Sequence, residues 1–221
     1  MGTSNWQNIS YNIELVRKLN PKSILDVGVG FGRWGILFRE FLEVWESGKY
    51  KGDWNRIIDG IEIFPDYIQN YHKFFYNTIY NEDALTHLNK TKKNYELINF
   101  GDIIEHFSKQ DGLKLISLAL KKSKYVLINV PIGNYWKQEG LPINQYEEHK
   151  SVWENSDFNK YRYHLIKKFK DLTHRDFSVV LLSSNKIIFD KRFGRYFEVK
   201  NFLKHKAGLK KVIEKFEKYK R

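Results

Sequence analysis

Apolar and polar positions along the chain switch repeatedly between a period near two and a period near three and a half. Residues 6–19 place Ile9, Ile13, Val16 and Leu19 at three- and four-residue steps, which predicts a short amphipathic helix ended by Asn20-Pro21. Ile24, Leu25 and Val27 then form a strand that runs into glycines at alternate positions, Gly28, Gly30 and Gly32. A helix over Arg33–Val44 follows, with Leu37, Phe38, Phe41 and Leu42 on its apolar side. Residues 46–55 are polar and predict a surface loop. A second strand covers Arg56–Ile63, breaks at Phe64-Pro65 and leads to a helix through Asp66–Phe74. Strands at Thr78–Tyr80, Tyr95–Phe100 and Tyr125–Val130 come next, with a helix at Lys109–Lys121 before the last of them. Strand and helix in alternation predict an α/β fold, a mostly parallel sheet with helices on both faces.

The alternation stops after Pro131. Residues 132–163 carry Tyr135, Trp136, Tyr146, Trp153, Phe158, Tyr161 and Tyr163 without a clear period. A long irregular segment this rich in rings is expected to be ordered, as a wall or lid over a substrate or as a small satellite core. Phe177–Ser183 and Lys186–Phe189, separated by Ser184-Asn185, read as an antiparallel hairpin. Beyond it, residues 191–221 place Val199, Phe202, Leu203, Leu209, Val212, Ile213 and Phe216 at near-helical spacing among lysines.

Composition narrows the class. The 221 residues suit one domain, 1–221, with residues 132–163 as an insertion and 191–221 as a helical tail. There is no cysteine, which removes disulfides and thiolate metal sites. No run approaches the roughly 18 apolar residues of a membrane span, and the N-terminus lacks a basic region followed by an apolar one. A cytoplasmic protein is the expectation. The formal charge is +12, and it is uneven: Lys186–Arg221 holds thirteen Lys or Arg and four Asp or Glu, so 13 − 4 = +9 sits in the tail and 12 − 9 = +3 in the rest. The tail reads as an amphipathic helix with lysines in water, or as a footprint for nucleic acid.

The chemistry concentrates at the first strand tip. Glycines at alternate positions let the backbone turn sharply and touch a flat ligand. Gly30, Gly32 and Gly35 also fit the G-x-G-x-x-G dinucleotide fingerprint, but that pattern wants its first glycine at the strand end, where Gly28 stands, and has no need of Asp26. The D-x-G-x-G-x-G run, Asp26 to Gly32, resembles the first motif of class I S-adenosylmethionine-dependent methyltransferases. With DGIEIFPDYI, DIIEHF and the later NQYEEHKSVW, the stretch from Pro21 to Trp153 resembles one bacterial group of that family over about three-fifths of the chain. The resemblance implies a Rossmann-like, mostly parallel seven-stranded sheet with an antiparallel last strand, and S-adenosylmethionine as cofactor. It implies that Asp26, Gly28, Gly30 and Gly32, with Val29 between them, hold the cofactor's amino-acid end. Glu62, flanked by Ile63, would accept from both ribose hydroxyls; Asp59 and Asp66 compete for that role. Asp83-Ala84 resembles the adenine-binding pair, or else Asp83 is a helix N-cap. Asp102 would line the methionine end.

His106 and His149 are the candidate bases, each alternatively a packing residue, and no metal is assigned to them. Asp102, Glu105 and His106 nevertheless have the i, i+3, i+4 spacing of one helical face. With His149 they would offer two carboxylates and two imidazoles, a set that resembles the metal site of small-RNA 2′-O-methyltransferases. The expected function is O-methylation of a small-molecule or sugar-containing acceptor. The alternatives are RNA methylation using the basic tail, and a non-catalytic cofactor-binding protein.

Overall fold

The computed structural model describes residues 5–184. Its centre is β1 (Ser23–Val27), where Ile24, Leu25, Asp26 and Val27 are all buried because a strand lies on each side and helices cover both faces. β2 (Ile57–Ile61) pairs parallel with β1 on one side, and β4 (Tyr95–Gly101) pairs parallel with it on the other. β3 (Thr78–Tyr80) extends the sheet beyond β2, and β5 (Ser123–Pro131) extends it beyond β4, both parallel. β7 (Asp176–Ser183) is antiparallel to β5 and to β6 (His164–Lys170). The order is therefore β3-β2-β1-β4-β5-β7-β6. Seven strands with antiparallel pairing confined to one end match the expected fold class.

The sheet's alternation assigns its two faces. Leu25 and Val27 join Ile98, Phe100, Val126 and Ile128 in one apolar cluster with Leu88, Leu115, Ile116 and Ala119. The last four lie on α5 (Ala84–Lys90) and α6 (Lys109–Lys122). Asp26 has the opposite parity and faces the side of α2 (Arg33–Arg39), the helix that opens at the glycine turn. The apolar run beyond Arg39 continues as a π-helical turn, Glu40–Val44, and a last turn, α3 (Trp45–Ser47). Glu43 is buried there and accepts from Arg56 Nη1 at 3.1 Å and from the Arg56 backbone N–H at 2.8 Å. α1 (Ile9–Leu19) ends at Asn20, which takes a left-handed conformation before Pro21.

Two expectations give way. The helix through Asp66–Phe74 is absent: the segment makes a 3₁₀ turn, Pro65–Tyr67, and one helical turn, α4 (His72–Phe75). Its rings pair with one another and with neighbours, Tyr71 against Phe31 and Phe74 against Trp54, instead of forming one apolar stripe. The partner of Phe177–Ser183 in its hairpin is β6, a strand absent from the expected set. With β5 on the other side, both edges of β7 are taken. Lys186–Phe189 and the basic tail lie outside the described residues. Among the described residues, no helix is long and apolar enough to cross a membrane.

Candidate active site

A cavity of about 530 Å³ opens at the C-terminal ends of β1, β2, β4 and β5. The strand order reverses there, between β1 and β4, and this is where open α/β sheets bind ligands. Its floor is the glycine turn. The Gly28 and Val29 N–H groups both donate to the Ile61 carbonyl, at 2.9 and 3.1 Å, which ties the turn to the tip of β2. Gly28 has φ +75, and a Cβ on it would fall 1.9 Å from Ile103 Cδ1, so both its conformation and its packing require glycine.

Of the residues expected at a cofactor, Gly28, Val29, Gly30, Glu62, Ile63, Asp83, Ala84 and Asp102 line this cavity. Glu62 stands just past β2. Its Oε2 accepts from the Gly30 N–H at 2.8 Å and its Oε1 from the Phe64 N–H at 2.9 Å. Burial raises its pKa, and these N–H donors oppose the rise. Asp83 is the N-cap of α5, accepting from the Thr86 N–H at 2.8 Å, and it also lines the cavity. Asp102 adopts a left-handed φ of +57 at the end of β4 and lines the cavity together with Arg33. Their charges act on one another.

Two residues sit elsewhere. Gly32 caps α2, and its missing side chain makes room for His72: a Cβ there would lie 2.6 Å from the imidazole. Asp26 is fully buried beneath the turn. Its Oδ2 accepts from Tyr76 Oη at 2.6 Å, and its Oδ1 accepts from Asn99 Nδ2 at 2.8 Å. Asn99 is its direct neighbour across the β1–β4 ladder. Burial pushes the Asp26 carboxyl up to about 7, against the two hydrogen bonds that favour its charge. Tyr76 also accepts from the Gly35 N–H at 3.1 Å, so this buried set fastens the start of α2 to the central strands.

Among the described residues, the aromatic insertion forms no satellite core of its own: some of its rings join the main core and others line the cavity. Trp153 and Phe158 are buried, stacked 5.6 Å apart and part of the main core. Trp136 and Tyr146 line the cavity, as does His149. The Lys150 and Ser151 N–H groups donate to the Glu105 carbonyl at 2.8 and 3.1 Å, stitching the insertion to the 3₁₀ turn Ile104–His106. That contact sets the His106 and His149 rings 4.9 Å apart at 76°. Burial lowers both imidazoles, His106 to about 4, so each is neutral at ordinary pH. The expected helical face is not formed, because Asp102 takes a left-handed φ ahead of the short 3₁₀ turn Ile104–His106, and no α-helix carries the three residues. The group that does converge is Glu105, His106 and His149.

The sequence reading missed Arg33, Tyr67, Gln138 and Glu147 in the lining. Arg33 follows the glycine turn directly, which was a usable signal. Tyr67 and Glu147 meet only through the fold, with Tyr67 Oη donating to Glu147 Oε1 at 2.7 Å.

No protein-family model and no curated protein matches the sequence. Solved structures do match in fold. The chain is similar to the O-methyltransferase TomG from Streptomyces achromogenes, at 11% identity and TM-score 0.55, over 83% of this chain and 82% of that one. It is similar to a SAM-dependent methyltransferase from Archaeoglobus fulgidus, at 17% identity and TM-score 0.53, over 79% and 94%. It is also similar to the methyltransferase domain of bacterial CtHen1, at 12% identity and TM-score 0.51, over 82% and 100%. The fold is the Rossmann-like methyltransferase fold. In that fold the cavity above lies at the usual ligand position, the strand-order switch point.

Proposed function

We propose that the chain is an S-adenosylmethionine-dependent methyltransferase acting on a hydroxyl of a small-molecule or sugar-containing acceptor. The observation that carries this reading is one continuous wall: glycine turn, Glu62 and Asp83-Ala84 side by side in one cavity. The residues fit the cofactor. Glu62 spends one lone pair of each oxygen on backbone N–H groups, and the remaining lone pairs can accept from two ribose hydroxyls. Arg33 and Asp102 offer opposite charges at the same end of the cavity, matching an amino acid's carboxylate and ammonium. Asp26 contributes from below by fixing the turn. A pocket of about 530 Å³ is in the range of small-ligand sites, roughly 300–1,000 Å³.

When bound, the cofactor supplies an electrophilic methyl carbon whose bond to sulfur breaks toward sulfur as the acceptor oxygen attacks. The chain's part is to hold that oxygen in line, exclude water and take up the hydroxyl proton. Trp136, Tyr146 and Tyr67 present rings to the cavity, surfaces on which a sugar or aryl group stacks. His106 and His149 are neutral and adjacent to this space, so either can accept the proton.

Calorimetry with S-adenosylmethionine, S-adenosylhomocysteine and NADH tests the cofactor assignment. Saturable binding of the first two and none of the third is expected; the reverse overturns it. Transfer of labelled methyl groups to acceptor panels, RNA included, tests the substrate class. Preference for RNA that is lost when Leu209–Arg221 is deleted would replace the small-acceptor reading.

A further inference from the structure

Glu105, His106 and His149 bring one carboxylate oxygen and two ring nitrogens within 4.8 Å of one another. Glu105 is 1% exposed, and no donor among the described residues reaches its Oε2. A buried carboxyl oxygen left without a partner is costly unless a proton or a cation satisfies it. The rings are prepared in a complementary way. His106 Nδ1 lies 3.0 Å from the Glu148 carbonyl oxygen, and His149 Nδ1 lies 2.5 Å from that of Trp136. A carbonyl oxygen only accepts, so each neutral ring carries its proton on Nδ1 and its lone pair on Nε2. A ring nitrogen bonded to a backbone carbonyl, with the other left to ligate, is the usual support of a metal-binding histidine. The backbone bonds from Lys150 and Ser151 to Glu105 hold the three residues together across the insertion.

We propose that Glu105, His106 and His149 bind one divalent first-row transition cation, with its remaining coordination positions open to the cavity. Two imidazoles and one carboxylate suit Zn²⁺ or Mn²⁺ better than Mg²⁺ or Ca²⁺, which prefer all-oxygen sets. Ligands at about 2.1 Å from a cation lie closer together than the present spread, so the site tightens as it fills. All three residues line the cavity, and a cation there would hold an acceptor hydroxyl and lower its pKa, in place of proton uptake by either imidazole, whose Nε2 the cation would occupy. That use rests on the methyl-transfer reading; cation binding does not.

The test is calorimetry of the full chain with Mn²⁺ and Zn²⁺ alone, Mg²⁺ for comparison, and S-adenosylhomocysteine titrated separately as a control for folding. One site is expected in the wild type, with Mg²⁺ at least tenfold weaker than the other two ions. His149→Ala and His106→Ala should each weaken Mn²⁺ at least tenfold, with S-adenosylhomocysteine affinity within about threefold. Imidazole nitrogen couplings in the electron spin echo of bound Mn²⁺ should appear in the wild type and diminish in either variant. Absence of saturable binding, or binding untouched by both substitutions, overturns the proposal. Cation binding without any S-adenosylhomocysteine binding would sustain the site and sink the methyl-transfer reading; the opposite pattern would do the reverse.

Discussion

Glu62 Oε2 accepts a 2.8 Å hydrogen bond from the Gly30 N–H, so the acid after β2 and the turn after β1 form one unit. A ligand bound by the carboxylate is bound by the turn as well. Glu62→Ala should weaken S-adenosylhomocysteine by about 10–150-fold, the loss of roughly 1.5–3 kcal/mol from charge-assisted hydrogen bonds. Glu62→Gln keeps the shape and one acceptor oxygen and should fall between. Calorimetric Kd values within twofold of the wild type in both variants would remove Glu62 from the cofactor site.

Gly35 lies inside α2, where alanine would normally help by about 1 kcal/mol. Here a Cβ would fall 2.3 Å from Tyr76 Cζ and 2.6 Å from Tyr76 Oη. The ring cannot swing aside without breaking its hydrogen bond to Asp26, and overpacking of this kind costs about 1–3 kcal/mol. The clash outweighs the propensity. Gly35→Ala should lower the urea midpoint, with a net loss of about 1–3 kcal/mol once the broken hydrogen bond is added. A variant as stable as the wild type would show that Tyr76 has room to move.

What could be read from the sequence is what depends on neighbours along the chain. β1 with its glycine turn, β3, β4 and α6 follow local periodicity, and Glu62 follows from its place at a strand end. β6 was hidden because it is an edge strand: Lys167, Lys168 and Lys170 face solvent and mask the apolar Leu165, Ile166 and Phe169. The side on which Asp26 falls depends on the parity of β1, which only the packed helices define. The meeting of His106 with His149 depends on how the insertion folds back, and no pattern in residues 132–163 encodes that return.

Tyr67 and Glu147 join the segment after β2 to the aromatic insertion across the cavity. Tyr67→Phe removes one hydrogen bond, worth about 0.5–1.5 kcal/mol, while leaving the ring against Phe64, whose centroid is 5.0 Å away. If this bond holds the insertion over the ligand, its loss should speed S-adenosylhomocysteine release by about 2–12-fold, the rate equivalent of that energy, with less effect on association. Stopped-flow displacement reads both rates. Unchanged release would assign the bond to stability alone.

Asp26 makes stability depend on pH in a direction opposite to most carboxylates. Its folded pKa, about 7, lies above the ordinary value of 3.8 that the unfolded chain should show. Between those values the folded state holds the proton that the unfolded state has lost, so stability falls as pH rises. For a folded value of about 7, the fall between pH 5 and pH 8 is about 2–3 kcal/mol from this group. Asp26→Asn keeps the size and removes the titration, and Tyr76 Oη can accept from the new amide instead of donating. The stability of the wild type minus that of the variant, from urea unfolding, should therefore decline across that range and level off below pH 4. A difference that is flat with pH would mean that Tyr76 and Asn99 hold the carboxylate ionised throughout, with burial the weaker influence.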